Sequence, residues 1–184
     1  IKRAWEIIKE KGQTLLPISD EDGTFKGIVS VSDITQTYIS LMDNDFLEKY
    51  DVPLKSVIDV LEARVLCGDE FIHDKVGKLF IYNNITWNDV PHIKPNDIII
   101  VAGSISNVIE SMEYQARNIF IVGSLADKNE EMLSQYASIK NKVLIKIDYD
   151  MLSVVRLISQ CIPVGKIMKT QRITFFMKMN ILMR

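Results

Sequence analysis

Four short apolar runs, Leu79 to Tyr82, Ile98 to Ala102, Ile119 to Val122 and Val143 to Ile147, constrain this chain more than anything else in it. Each is strand-length, far short of the roughly 20 residues a membrane-spanning helix needs. Helix-period stretches fill the gaps between them: Val108 to Ala116, Asn129 to Ile139 and Met151 to Gln160. Strands buried on both faces read as continuous apolar runs, and their alternation with helices predicts a mostly parallel sheet covered by helices. With 184 residues, 47% of them hydrophobic, the chain can bury such a core and one further small unit.

The stretch before this region is organised differently. Ala4, Trp5, Ile7 and Ile8 share one face of an opening helix that stops at Gly12. Two runs, Thr14 to Ile18 and Lys26 to Val31, flank Asp20-Glu21-Asp22-Gly23, whose Asp-Gly step suits a tight antiparallel hairpin. Ser32 or Asp33 is expected to cap a following helix carrying Ile34, Tyr38, Ile39 and Leu41, broken at Asp43-Asn44-Asp45. A connector helix over Leu54 to Leu61 turns Val57, Ile58 and Leu61 to one face, and a boundary falls near Glu62 to Cys67.

Charge and cysteine usage narrow the function. A net charge of -2 with no Lys/Arg-rich run gives no footprint for nucleic acid, and no run is long enough for a membrane. Cys67 and Cys161 lack any paired spacing and read as reduced thiols, which fits an expected cytoplasmic location. Nothing at the start resembles a secretory signal, and the true start is expected to lie upstream of Ile1.

His73 and His92 stand outside any ligand-spaced cluster, so neither a metal site nor a catalytic centre is expected. Trp5, Phe80, Tyr82 and Trp87 read as core or interface packing, and Asp127 to Glu131 as a solvated helix start. Gly103-Ser104 reads as a turn, with anion binding by free backbone amides as the alternative. Gly27 allows close backbone approach, Ser30 offers a hydroxyl to a phosphate oxygen, and Asp33 can accept from ribose hydroxyls at a helix start. Spacing alone leaves open whether Gly27 is an ordinary strand residue and Asp33 only a helix cap.

Leu15-Leu16-Pro17-Ile18, the Asp20 to Gly23 turn and Gly27-Ile28-Val29-Ser30-Val31-Ser32-Asp33 resemble the later part of a CBS domain, including its Gly-hydrophobic-hydrophobic-Ser/Thr-x-x-Asp signature. The family's opening strand is absent. The region after Glu62 resembles a DRTGG domain, and Tyr149-Asp150, Arg156-Leu157-Ile158 and Ile162-Pro163-Val164 resemble its exit into a second CBS copy beginning at Gly165-Lys166-Ile167-Met168. The expected division is a partial CBS domain over 1–62, a DRTGG-like domain over 66–160 and the start of a second CBS domain over 162–175. Where the DRTGG family carries its name-giving Asp-Arg, this chain has Gly103-Ser104-Ile105-Ser106-Asn107, so no role of that turn is carried over.

The order CBS, DRTGG, CBS resembles the regulatory insert of CBS-domain, manganese-dependent family II inorganic pyrophosphatases. The resemblance implies a regulator that binds AMP, ADP or a diadenosine polyphosphate through Gly27, Ser30 and Asp33, with Leu16 and Pro17 in the same set. It implies a homodimer formed through the CBS and DRTGG regions. Manganese and catalysis would lie in a part of the polypeptide absent here, since this sequence has no Asp-His-His run. The alternative is a dimerisation or sensor module of another CBS- and DRTGG-containing enzyme, such as an acyl-phosphate enzyme.

The last residues fit this resemblance poorly. Met177, Met179 and Met183 crowd a stretch where a CBS domain is acidic. AT-rich back-translation in a shifted frame restores Phe-Tyr-Glu-Asp-Glu-Tyr-Ile-Asp-Glu, so residues 176–184 are read as a frameshifted tail, with a short apolar docking segment as the alternative.

Overall fold

The structure is a computed structural model that describes residues 2–35, 43–102 and 104–161, with side chains described from Ile7 onward. The expected faces of Trp5 and of Tyr38 to Leu41, Gly103, the second CBS start and the tail at 176–184 lie outside the described residues.

Helix α1 (Lys2–Lys11) ends at Gly12, which takes the left-handed backbone (φ 60°) that glycine adopts without steric cost. Strands β1 (Leu15–Ser19) and β2 (Phe25–Ser30) pair antiparallel as expected. Gly23 supplies a positive φ of 81°, and the Asp20 carboxylate accepts from the Thr24 amide at 2.8 Å. Helix α2 begins at residue 31 and is described to residue 35.

The second sheet has five strands: β3 (Arg64–Cys67), β4 (Leu79–Ile81), β5 (Ile98–Ala102), β6 (Asn118–Val122) and β7 (Val143–Ile147). Their spatial order is β3-β7-β6-β5-β4, with β4 to β7 parallel and β3 antiparallel to β7. The four expected strands are all present. β3 was read only as a boundary: its four residues have no local partner and pair with β7 some 80 positions later. Gly68, immediately after β3, has φ 88°, and a Cβ there would stand 2.8 Å from Val143 Cα, so the edge strand crosses closely at this point.

Alternation along the strands serves two cores. Leu79, Ile81, Ile98, Ile100, Phe120, Val122 and Ile145 face one side, packed by α3 (Phe46–Lys49), α4 (Leu54–Val60) and α7 (Met151–Ile158). Ile99, Val101, Ile119, Ile121 and Leu144 face the other, packed by α5 (Ile105–Ser111) and α6 (Asp127–Ile139). Val57, Ile58 and Leu61, the apolar face of the expected connector, are buried in the first core.

Two expectations need correction. Trp87 is not core packing: it is 91% exposed, held on a loop after β4. The helix start at Asp127 to Glu131 is not wholly solvated, because Glu130 is buried and accepts two bonds from the Arg64 guanidinium, at 2.8 and 2.9 Å. That ion pair, made by Arg64 Nη2 to both carboxylate oxygens, ties the antiparallel edge strand to α6. Both histidines are exposed, and Cys67 and Cys161 are free thiols. No helix among the described residues is long and apolar enough to cross a membrane.

Candidate functional site

The expected nucleotide-binding set lies where β2 runs into α2. Ser30 ends the strand, and its hydroxyl accepts the Asp33 amide at 3.0 Å. Asp33 Oδ2 in return accepts the Ser30 amide at 2.8 Å and its hydroxyl at 2.7 Å. This is a reciprocal capping box: Ser30 is the N-cap and Asp33 reaches back from the third helical position. The cap expected at Ser32 or Asp33 therefore falls at Ser30, because the extended backbone ends two to three residues earlier than the side-chain pattern suggests. The Ser30 amide, followed by its hydroxyl, holds the Asp33 carboxyl below its ordinary value against a small opposing effect of burial. Asp33 is exposed and charged at neutral pH, as a hydrogen-bond acceptor for ribose hydroxyls must be.

The hairpin register separates the rest of the set. Leu15 is opposite Ser30, Pro17 opposite Ile28, Leu16 opposite Val29 and Ile18 opposite Gly27. Directly paired residues share a face, so Ser30 and Pro17 lie on one side of the pleat and Leu16 and Gly27 on the other. Leu16 packs with Val29 and Val31 against Ile8, Ile34 and Leu152. It is a structural contact between hairpin and helices. Gly27 has no steric need to be glycine, since a Cβ there would meet nothing within 4 Å. Open space over its backbone is what close approach by a ligand requires.

Sequence reading missed what lies behind this junction. Asn84, in the turn Tyr82–Asn84 after β4, donates to the Ser32 carbonyl at 3.2 Å, and Leu152 of α7 packs against Ile34. Among the described residues the capping box thus meets the larger unit through the Asn84–Ser32 bond and through apolar contacts at Val31 and Ile34. A lone asparagine far along the chain gives no sequence signal of such a link. At Ser104, where the sequence reads as a turn with anion binding as the alternative, Ser104 Oγ pairs with Ser106 Oγ at 2.9 Å and caps no backbone amide. Among the described residues no group of three or more His, Cys, Asp or Glu is placed to hold a metal ion.

A two-stranded hairpin feeding a capped helix, joined to a helix-covered, mostly parallel sheet, defines a two-part mixed α/β protein. The DRTGG domain model matches residues 56–161 and the CBS domain model residues 1–40, so the chain belongs to the DRTGG domain family and carries a CBS-domain match ahead of it. Among curated relatives it is similar to the cobalt-dependent inorganic pyrophosphatase of Clostridium perfringens (strain 13 / Type A), 26% identical over 168 residues that make up 91% of this chain and 30% of the relative. It is also similar to the probable manganese-dependent inorganic pyrophosphatase of Thermotoga maritima, 23% identical over 164 residues, 88% of this chain and 29% of that one. The chain thus spans about 30% of the length of these relatives.

Among solved structures it resembles the CBS and DRTGG domains of the regulatory region of Clostridium perfringens pyrophosphatase, crystallised with its activator diadenosine tetraphosphate. The TM-score is 0.50 at 24% identity, covering 89% of this chain and 70% of that one. At that identity the likeness establishes the shared fold.

Proposed function

We propose that this chain is an adenosine-nucleotide-sensing regulatory part of an inorganic pyrophosphatase that hydrolyses pyrophosphate to two phosphates. The observation that carries the reading is the Ser30–Asp33 capping box: a charged carboxylate and a hydroxyl at a strand-to-helix junction. Support comes from the C. perfringens regulatory region, whose activator is diadenosine tetraphosphate. The proposed ligand is AMP, ADP or a diadenosine polyphosphate, contacted by Gly27, Ser30 and Asp33, with Pro17 beside Ser30 and Leu16 positioning the hairpin from behind. Ser30 gives a phosphate-directed hydroxyl and Asp33 a ribose acceptor, each by turning from its partner in the cap.

The proposal keeps the division at 1–62 and 66–160, and assembly as a homodimer through both regions. It places the protein in the cytoplasm, which the two free thiols support. The catalytic metal, manganese in one relative's name and cobalt in the other's, belongs in this reading to the remainder of the polypeptide. Occupancy would act by favouring one of two arrangements of hairpin against sheet, the Asn84–Ser32 bond and the Leu152 contact being where they meet.

Calorimetry of the native chain with AMP, ADP and diadenosine tetraphosphate tests the site. Asp33→Ala removes a charged acceptor, a loss on the order of 1.5–3 kcal/mol, or about tenfold or more in affinity. Asp33→Asn retains a carbonyl for the cap and separates loss of charge from loss of the helix start. Unchanged affinity in Asp33→Ala would leave Asp33 as a cap and nothing more.

A further inference from the structure

A groove of 960 Å³ opens on the larger unit, between the loop after β4 and the C-terminal end of α5, on residues to which the nucleotide reading gives no role. Tyr82, Trp87, Tyr114 and Glu110 carry its chemistry, with Val90 and Pro91 along the apolar rim. The Tyr82 and Tyr114 rings meet edge to face, 6.3 Å between centroids and 75° between planes. Trp87 is 91% exposed, too open for its indole to serve the core. Its loop is nevertheless fastened: Asp89 Oδ2 accepts the Thr86 amide at 2.8 Å and the Thr86 hydroxyl at 2.6 Å. The indole is presented to solvent from an ordered turn.

Charge distinguishes this groove from a greasy patch. The Tyr82 hydroxyl donates to Glu110 Oε2 at 2.5 Å, which fixes the carboxylate against the aromatic wall. That bond, then burial and the Glu110 charge, push the Tyr82 phenol up to about 12, so Tyr82 remains a neutral donor. Glu113, on the rim, is already balanced by Lys140 at 2.8 Å and accepts the Tyr136 hydroxyl at 2.8 Å. Glu110 has no Lys, Arg or His within ion-pair distance among the described residues. One uncompensated carboxylate therefore stands beside three aromatic rings, whose faces are themselves electronegative.

A planar, weakly hydrated cation complements this arrangement better than an ammonium does. A guanidinium can lie on an aromatic face while its N–H fork meets a carboxylate. The groove is several side chains in volume and open along its length, which suits a stretch of polypeptide. We infer that the Tyr82–Trp87–Glu110–Tyr114 groove is a docking site for an arginine-bearing, otherwise apolar segment of a partner protein, the guanidinium stacking on the rings and pairing with Glu110.

The test is an NMR titration of the ¹⁵N-labelled chain, read at the Trp87 indole N–H, with acetyl-Gly-Leu-Arg-Leu-Gly-amide and with the same peptide carrying neutral citrulline for arginine. The arginine peptide is expected to shift that signal with an affinity roughly fivefold above the citrulline peptide, the worth of an exposed ion pair and cation–π contact together. Glu110→Gln should erase the difference between the two peptides, and Trp87→Ala, followed at the backbone amides of Tyr82 and Tyr114 instead, should weaken both. Equal binding of the two peptides to the native chain overturns the inference, as does the absence of any Trp87 shift up to millimolar peptide. If Trp87→Ala instead splits a self-associated form into monomers in sedimentation, a second copy occupies the groove and the inference also falls.

Discussion

The two sheets of this chain solve the same problem to different degrees. In the five-stranded sheet β6 and β7 are buried at every position, because crossover helices return over one face while α4 and α7 cover the other. In the hairpin, Leu15, Ile28 and Phe25 remain 51%, 57% and 63% exposed. A two-stranded ribbon joined by a tight turn brings no helix with it, so one face relies on α1, α2 and Leu152 and the other stays open. The region proposed to sense a ligand is thus the one that cannot complete its own core. Burial of that kind sets which parts of a fold open locally and which open only with the whole.

The strongest challenge to this contrast is Phe120→Ala. The ring is fully buried in the central strand β6, and its removal should cost about 3–5 kcal/mol, read as a lower urea midpoint for the larger unit. Equal loss of protection at hairpin amides in hydrogen exchange would make the two regions one cooperative body and erase the contrast.

Acid should act on the two regions in opposite directions. Asp33 titrates below its ordinary value of 3.8 when folded, so its contribution is present above that value and disappears as pH falls through the folded one. Asp97, fully buried, accepts the amides of Lys78 and Lys94, each at 2.7 Å, yet burial outweighs both and raises its carboxyl above 3.8. Its contribution is complete below the ordinary value and is lost as pH rises through the raised one. Carboxyl ¹³C titrations of both residues check the signs. Amide protection in the first turn of α2 should fall on acidification, while that of Lys78 and Lys94 should hold.

The smallest effect expected is at Phe25. Phe25→Ser should change stability by no more than about 0.5 kcal/mol, since little of the ring is withdrawn from water. A larger loss in thermal unfolding would mean that something covers the open face of the hairpin in solution.

The larger sheet was legible because its strands are continuous apolar runs, a pattern that depends on few distant residues. Ile98–Ala102 and Val143–Ile147 fall where the runs place them, and β6 differs only by Asn118, whose side chain turns inward to donate to the Asn96 and Asp97 carbonyls. β3 was not legible because Arg64-Val65-Leu66-Cys67 becomes a strand only when β7 arrives beside it. At the candidate site, Ser30 and Asp33 were readable as a pair from their spacing. Their mutual bonds were not, nor was the pleat that sends Leu16 and Gly27 to the opposite side from Ser30. Of the core-or-interface reading of Trp87 the core half fails, because a large aromatic is buried in most proteins and nothing in its neighbours announces a loop that holds it outward.

The Cys161 thiol, at the close of the turn Ser159–Cys161, donates to the Ser56 carbonyl in α4 at 3.6 Å, across 105 positions of sequence. The path through the whole five-stranded sheet therefore begins and finishes at one point. Closure entropy rises only with the logarithm of length, so a folded excursion with joined ends burdens the chain around it little more than a short loop would. A unit built this way can be acquired or discarded by a host polypeptide while the segments on either side keep their separation, which makes it a replaceable part in the evolution of larger proteins.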